Sequence, residues 1–420
     1  MEIIEYGNAV TLEIGQSEAE ALSDTSALWR KRLKLKEHPF RLTKLGQDKF
    51  SLEVRGVAGF IRVGNTSLEI SPKFLNRNTA GPNWRSAMWR FLAYGRGIDA
   101  LSRTSGNFDV EEGIADVLSD MFLASLRGAS TRGYPLGYQP RSFTSSFVTG
   151  RLDPKMYSRL LPATGKIGII TSKLTRDIPT NRLLKWAGRE LARTVESPSR
   201  RKQLNLWATE LQNVSATPPR IEQVPAPSRQ YPHLVHAVEI AKLLYDDREV
   251  GYRTGGINLP GFLWDSDDLF ERATRRLLSE AARPLGFNVS KRSHILAKIS
   301  RAGKQISTHT TPDIDVWRGE QSILIADAKY KNLGRKPSNE DFYQVLAGGR
   351  VRNVSTVALL YPATGTGVMD LIFKPQGTGY PSTVLVTTIG LESFASRYEI
   401  RLLRNKVTKW LAGATSIPAP

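Results

Sequence analysis

The sequence predicts a mixed α/β protein with a β-rich N-terminal region, a helical middle region and a C-terminal α/β module. Three observations support this. Alternating apolar and polar residues carry glycines from Ser51 to Val63. Helical spacing of apolar residues dominates from Trp84 to about Arg132 and returns from Thr180 to about Gln212. Beyond Asp267, a helix, two close strands, a second helix and further strands follow one another, the order of an α/β module with a small sheet.

In the N-terminal region, Val57–Val63 and Asn65–Pro72 read as two strands joined by a turn, so the opening ~75 residues are expected to be β-rich. The middle region gives Met88, Phe91 and Leu92, then Ile114, Val117, Leu118, Met121, Phe122 and Leu126 at helical intervals. A Gly/Tyr/Pro segment at Arg132–Pro140 breaks the pattern before the second helical block. Ser215–Pro227 is too rich in proline for a regular element. It is the best interdomain linker candidate, with an extended strap across one compact domain as the alternative. The expected division is therefore residues 1–215, a linker at 216–230, and residues 231–420. Within the last part, Asp267–Arg283 is a helix opened by acids, Asp313–Trp317, Ser322–Ala328, Thr356–Tyr361 and Ser382–Ile389 are strand-like, and Asn339–Val351 is a second helix.

Composition narrows the function classes. The 420 residues contain no cysteine, which excludes disulfides and thiolate metal sites. No apolar run reaches the ~20 residues of a bilayer span, and the N-terminus lacks the pattern of a signal peptide. A cytoplasmic protein with no membrane partner is expected. The formal charge of +19 favours a polyanionic partner. It is uneven: residues 1–50 balance eight basic against eight acidic side chains, whereas residues 151–200 hold eleven against four and residues 271–304 nine against two. Charge alone fits DNA, RNA or an anionic membrane, and the alternative reading is solvated faces with a high pI.

Chemistry concentrates in one hairpin. Thr311-Pro-Asp-Ile-Asp-Val-Trp317 is followed, after a polar turn, by Ser322-Ile-Leu-Ile-Ala-Asp-Ala-Lys-Tyr330. Adjoining strands bring Asp313 and Asp327 together, and Lys329 shares a face with Asp327 because strand side chains alternate. Two carboxylates can hold a hard divalent cation that polarises a phosphate, and a nearby ammonium can orient or activate water. An isolated Asp-x-Lys is more often an exposed ion pair. Here it directly follows the apolar run Ile323–Ala326, where a buried strand meets a polar site. Asp315 faces the same side as Asp313 and is an alternative ligand, though the preceding proline favours Asp313.

The pattern of Asp313, Asp327 and Lys329 resembles the PD-(D/E)xK nuclease superfamily. The resemblance implies a further acid, Glu271 of Leu269-Phe-Glu271, on the helix before the hairpin, and Gln344 of Asp341-Phe-Tyr-Gln344 on the helix after it. For Glu271 the competing reading is a capping box with Asp268; for Gln344 it is an ordinary polar surface position. The ordered set of motifs is similar to the McrC family of restriction subunits. It comprises Val57–Val63, Leu68-Glu-Ile-Ser-Pro-Lys73, Arg132-Gly to Tyr138, Thr149-Gly-Arg-Leu152 and Asn181–Leu184, followed by the nuclease motifs through Asp327-Ala-Lys-Tyr-Lys331 and Tyr343-Gln344. The similarity runs over roughly residues 55–365. Ala347-Gly-Gly349 departs from it, and nothing after Pro362 matches.

The resemblance implies a restriction-endonuclease-like C-terminal domain and a Mg²⁺-dependent (Mn²⁺ as substitute) DNA endonuclease, with Asp313, Asp327 and Glu271 as metal ligands and Lys329 and Gln344 completing the catalytic set. It also implies a separate McrB-type AAA+ GTPase or ATPase partner, contacted through residues 1–215; no Walker A motif occurs in this chain. Double-stranded DNA is the expected substrate, with Arg272, Arg275, Arg276, Lys291 and Arg292 as candidate contacts to it. The alternatives are a catalytically silent DNA-binding adaptor, a nuclease acting without a motor, and an RNA-processing enzyme.

Overall fold

A computed structural model describes residues 1–64, 66–81, 84–97, 114–153, 166–225, 231–246, 261–301, 304–375 and 381–416. The chain opens with β1 (Glu2–Ile4), β2 (Val10–Glu13), α1 (Gln16–Leu33), β3 (Phe40–Gly46), β4 (Lys49–Val54), β5 (Val57–Val63), β6 (Thr66–Ser71) and α2 (Trp84–Arg96). The next stretch holds α3 (Ile114–Leu126), β7 (Gly137–Ser145), β8 (Arg151–Leu152), β9 (Ile167–Thr175), α4 (Pro179–Thr194), α5 (Pro198–Thr209) and α6 (Val235–Asp246). The remainder begins with β10 (Gly261–Asp265), α7 (Ser266–Ala282), β11 (Asn288–Ser290), β12 (His294–Arg301), β13 (Lys304–Thr310), β14 (Ile314–Arg318) and β15 (Gln321–Ala328). It ends with α8 (Asn339–Arg352), β16 (Thr356–Ala363), β17 (Val368–Phe373), β18 (Thr383–Gly390) and α9 (Arg397–Ser416). The mixed α/β class expected from the sequence is what is found.

Two compact units form, but not at the expected boundary. One joins Met1–Ile114 to Glu249–Pro420, and the other is Ala115–Arg248. The reason is a strand pairing between residues distant in sequence. β10 lies antiparallel to β5, completing a sheet of order β1-β6-β5-β10, so the N-terminal strands belong with the C-terminal module. Gly59 permits this: its φ is +132°, and a Cβ there would fall on the carbonyl oxygen of Phe262. The proline-rich stretch, expected as a linker at 216–230, is instead a strap within the second unit as far as it is described. Tyr245 Oη donates to Pro219 O at 2.6 Å and Val224 is buried. Residues 226–230 lie outside the described residues, as do residues 98–113 of the expected helical stretch.

The opening 75 residues are not purely β. The 18-residue α1 escapes the periodicity reading because much of its buried face is small or polar: Ala19, Ala21, Thr25 and Ser26 stand beside only two large apolar residues, Leu22 and Trp29. Its core partners are Leu12, Phe50, Leu52, Val54 and Ile61. In the second unit, α4 and α5 pack around Leu183, Leu184, Leu191, Leu204 and Trp207, and Trp207 Nε1 donates to Tyr134 Oη at 2.8 Å. A long ribbon of β7 and β9 also belongs to this unit, where only helices and a break were expected.

The functional part of the first unit is a six-stranded sheet of order β11-β14-β15-β16-β18-β17. β15, β16 and β18 run parallel, with β14 antiparallel to β15. Ile325, Val357 and Leu359 point to the face that Val345 and Leu346 of α8 cover. The helix α7 packs against β15, β11 and α9. No helix of the described residues is long and apolar enough to cross a membrane.

Candidate active site

The site is built where the β14–β15 hairpin leaves the sheet. Ile314 pairs with Ala326 and Asp315 with Ile325, so the next position of that register sets Asp313 opposite Asp327. Asp313 Oδ2 accepts a hydrogen bond from the Ala328 amide at 3.1 Å. Strand alternation carries Asp327 and Lys329 onto the α8 side. There Lys329 Nζ lies 2.5 Å from Asp327 Oδ2 and donates to Gln344 Oε1 at 2.8 Å. These four residues, drawn from the hairpin and the helix after it, thus meet in one cluster.

Glu271 joins from the second turn of α7, and it is not a cap. Asp265 caps that helix, accepting from the amides of Asp267 at 2.8 Å and Asp268 at 3.1 Å. Glu271 is instead paired with Arg275 and with Lys291, whose Nζ lies 2.7 Å from Glu271 Oε1 and 3.2 Å from Asp313 Oδ1. Lys291, expected as a DNA contact, is exposed and bridges these two carboxylates. Arg275 Nε donates to Asp313 O at 2.9 Å and fixes the start of β14.

The other expected DNA contacts divide. Arg272 pairs with Asp268 at 2.7 Å and Arg276 with Glu280 at 2.9 Å. Arg292 stacks over Trp317 and lies 3.9 Å from Asp315. Asp315 is fully buried and His294 Nε2 stands 3.1 Å from its Oδ2, so it does not share Asp313's surroundings. It is not the substitute that strand parity suggested, because the hairpin turns Asp313 out of the sheet at its end while Asp315 stays inside.

The electrostatics set the two facing carboxyls apart. Burial, then the charge and hydrogen bonding of Asp313, push Asp327 up to about 7 against the pull of Lys329. Burial works on Asp313 too, but its hydrogen bond with Asp327 and the Lys291 ammonium outweigh it and hold that carboxyl below its ordinary value. Burial raises Glu271, opposed by Lys291. Among the described residues no group of three or more His, Asp or Glu side chains is gathered as a metal cage. Yet Asp327 Oδ1 is buried and, the neighbouring Asp313 carboxyl aside, has no hydrogen-bond partner among those residues. Hard oxygens with unused lone pairs suit a divalent cation of the Mg²⁺ type.

A cleft of about 570 Å³ opens beside the cluster, lined by Glu271, Lys329 and Gln344 and also by residues sequence reasoning did not single out for it. Lys36, Asp267 and Lys331 are among these, as is Lys73, the end of the Leu68–Lys73 motif. Lys331 reaches Asp341 Oδ2 at 2.8 Å, and Tyr361 Oη donates to the same carboxylate at 2.6 Å. The motif Asp341–Gln344 was the available signal for that pair; Lys36 left none.

The fold and site define a mixed α/β protein with a carboxylate–lysine cluster at the end of its central sheet. The chain belongs to the family of McrBC 5-methylcytosine restriction system components, whose model matches residues 52–362. Among solved structures, it is similar to a chain of the refined half-complex from a tetradecameric assembly of Thermococcus gammatolerans McrB AAA+ hexamers with bound McrC. That likeness has a TM-score of 0.61 at 19% identity and covers 98% of this chain and 100% of that one. A chain of the cryo-EM McrBC complex of the same organism aligns at 22% identity over 67% of this chain and 88% of that one, with a TM-score of 0.43. No curated protein matches.

Proposed function

We propose that this chain is the Mg²⁺-dependent endodeoxyribonuclease subunit of a McrBC-like (type IV) restriction system, with its catalytic cluster on a PD-(D/E)xK-type module. It cuts duplex DNA together with a McrB-type AAA+ NTPase whose hydrolysis it stimulates. The observation that carries the reading is Asp313 facing Asp327, with the Lys329 ammonium held between Asp327 and Gln344.

In this reading Asp313 and Asp327 hold the cation and Glu271 completes the carboxylate set, with Mn²⁺ as a substitute. A cation held there would supply polarisation of the scissile phosphate and a lowered pKa of its bound water. Lys329 presents a positive charge to the developing phosphorane oxygens or to the attacking water, and Gln344 fixes where that ammonium points. Lys291 neutralises the cluster on its other side and keeps three carboxylates close without the full cost of their repulsion. The partner reading rests on family membership and on the absence of a nucleotide-binding motif in the sequence.

The test is cleavage of duplex DNA and of RNA by the full chain with Mg²⁺, with and without the AAA+ protein, beside Asp327→Ala. DNA cutting that requires Asp327 supports the reading. Cutting retained by Asp327→Ala removes the site assignment, DNA binding without any cutting makes the chain a silent adaptor, and preferential RNA cleavage makes it an RNA-processing enzyme. Site-selective cutting without the partner makes it a self-sufficient nuclease.

A further inference from the structure

The family match ends at residue 362, and the 20-residue helix α9 beyond it has no part in the site above. It forms one wall of a cleft of about 1540 Å³ whose other walls are α7 and the end of α2. Eight arginines line that cleft against one carboxylate, Glu280. On α7 and just after it, Arg272, Arg276 and Arg283 stand four and then seven residues apart, which sets them along one helix face. Arg397, Arg401 and Arg404 stand four and then three residues apart on α9, which likewise keeps them along one face.

The two helices are fixed in this arrangement. Thr408 Oγ1 donates to Ala281 O at 3.2 Å. Glu280 is shared: Tyr94 Oη donates to it at 3.1 Å, Arg276 Nε stands 2.9 Å from it and Arg404 Nη1 3.8 Å. Asp268 and Glu271 also pair with Arg272 and Arg275, yet guanidiniums still outnumber these carboxylates along the two facing helices, an arrangement that an anion relieves. Guanidinium forks match phosphate oxygens.

We infer that this cleft holds the sugar–phosphate backbone of duplex DNA and that α9 supplies half of the phosphate-binding wall. The inference rests on the nuclease reading above and extends it to a helix that the family match does not cover. Two features favour a nucleic-acid backbone over a single phosphate. A row from Arg272 to Arg283 extends roughly 16 Å along its helix, the rise of eleven residues, whereas one phosphate needs two or three guanidiniums. The row also leads to the chemistry: Arg275 lines the cleft and its Nε binds Asp313 O. A backbone seated there continues towards Asp313 and Asp327.

The test measures binding of the full chain to a fluorescent duplex oligonucleotide without divalent cation, across a salt series, for the wild type and for Arg397→Gln/Arg401→Gln. Both side chains are exposed, and circular dichroism and thermal melting check that the variant is folded. A second variant, Arg41→Gln/Lys49→Gln, removes the same charge from the exposed β3–β4 hairpin. The α9 variant is expected to lose about tenfold or more in affinity at low salt and to flatten the salt dependence by about 0.9 log units for each phosphate contact removed. The hairpin variant is expected to retain the wild-type slope.

An unchanged slope in a folded α9 variant overturns the inference, and so does equal flattening in both variants. Loss of AAA+ partner binding at unchanged DNA affinity also overturns it and makes the cleft a protein contact. Cleavage readouts keep this separate from the nuclease reading. Asp327-dependent cutting with unchanged DNA affinity in the α9 variant removes only the cleft, whereas reduced affinity in a protein that never cuts removes only the nuclease.

Discussion

The Tyr330 hydroxyl donates a hydrogen bond to Glu5 Oε2 at 3.2 Å, tying the segment just after Lys329 to the first strand of the chain. Glu5 is completely buried and also accepts from the Lys73 amide at 3.3 Å. Burial pushes its carboxyl up from 4.5 to about 8, and its hydrogen bonds only partly oppose this. Between those two values the folded chain binds more protons at this position than the unfolded chain does. Stability from this group is therefore fully present below the lower value and is lost as pH rises towards about 8. Melting temperatures from pH 5 to 9 should fall less steeply in Glu5→Gln than in the wild type. Parallel curves would show that Glu5 ionises normally.

Replacing Asp327 or Lys329 with Ala should reduce DNA cleavage by at least about 100-fold. On the proposed reading, one change removes a metal ligand and the other removes charge from the transition state. Gln344→Ala should cost less, since it only releases Lys329 from its 2.8 Å hydrogen bond. Single-turnover cleavage with matched DNA-binding measurements checks this order. A Gln344 defect larger than that of Lys329 would give the glutamine a direct role.

Gly59→Ala should destabilise the chain by about 2 kcal/mol or more, adding a strained positive φ to a steric clash. The added methyl falls on Phe262 O in the β5–β10 pairing, the link between the N-terminal and C-terminal parts of the first unit. Equilibrium denaturation measures it, and a loss below about 0.5 kcal/mol, the range of an ordinary surface change, would mean that this pairing is readily rearranged.

In the second unit, the β7–β9 ribbon and its connection expose Tyr138, Phe147 and Val148, each more than 60% accessible. Phe147 and Val148 are adjacent just past one end of β7 and Tyr138 lies at its other end, and exposed apolar side chains of this kind suit a protein contact. If the AAA+ partner docks here, Tyr138→Ser/Phe147→Ser should lower partner binding and stimulation of NTP hydrolysis several-fold without changing the melting temperature. Normal stimulation by that variant would place the contact elsewhere in the chain.

By itself, the sequence determined the carboxylate–lysine cluster and its local frame. Asp313, Asp327 and Lys329 were legible because β-strand periodicity fixes which side chains share a face, and the apolar run before Asp327 marks where a buried strand ends. α7, α8 and the strands around them were legible through caps and apolar spacing. Only tertiary structure decided what lies between distant segments. Periodicity carries no information on the partner of a cation, so it could not show that Lys291 is held by Glu271 and Asp313 while Arg272 and Arg276 line a separate cleft. It also could not show that β10 hydrogen-bonds to β5, since backbone pairing is set by which edges meet and not by the residues on either strand alone. That pairing moved the domain boundary. The helix α9 had apolar positions but no motif, and its arginines gained meaning only when packing set them opposite those of α7.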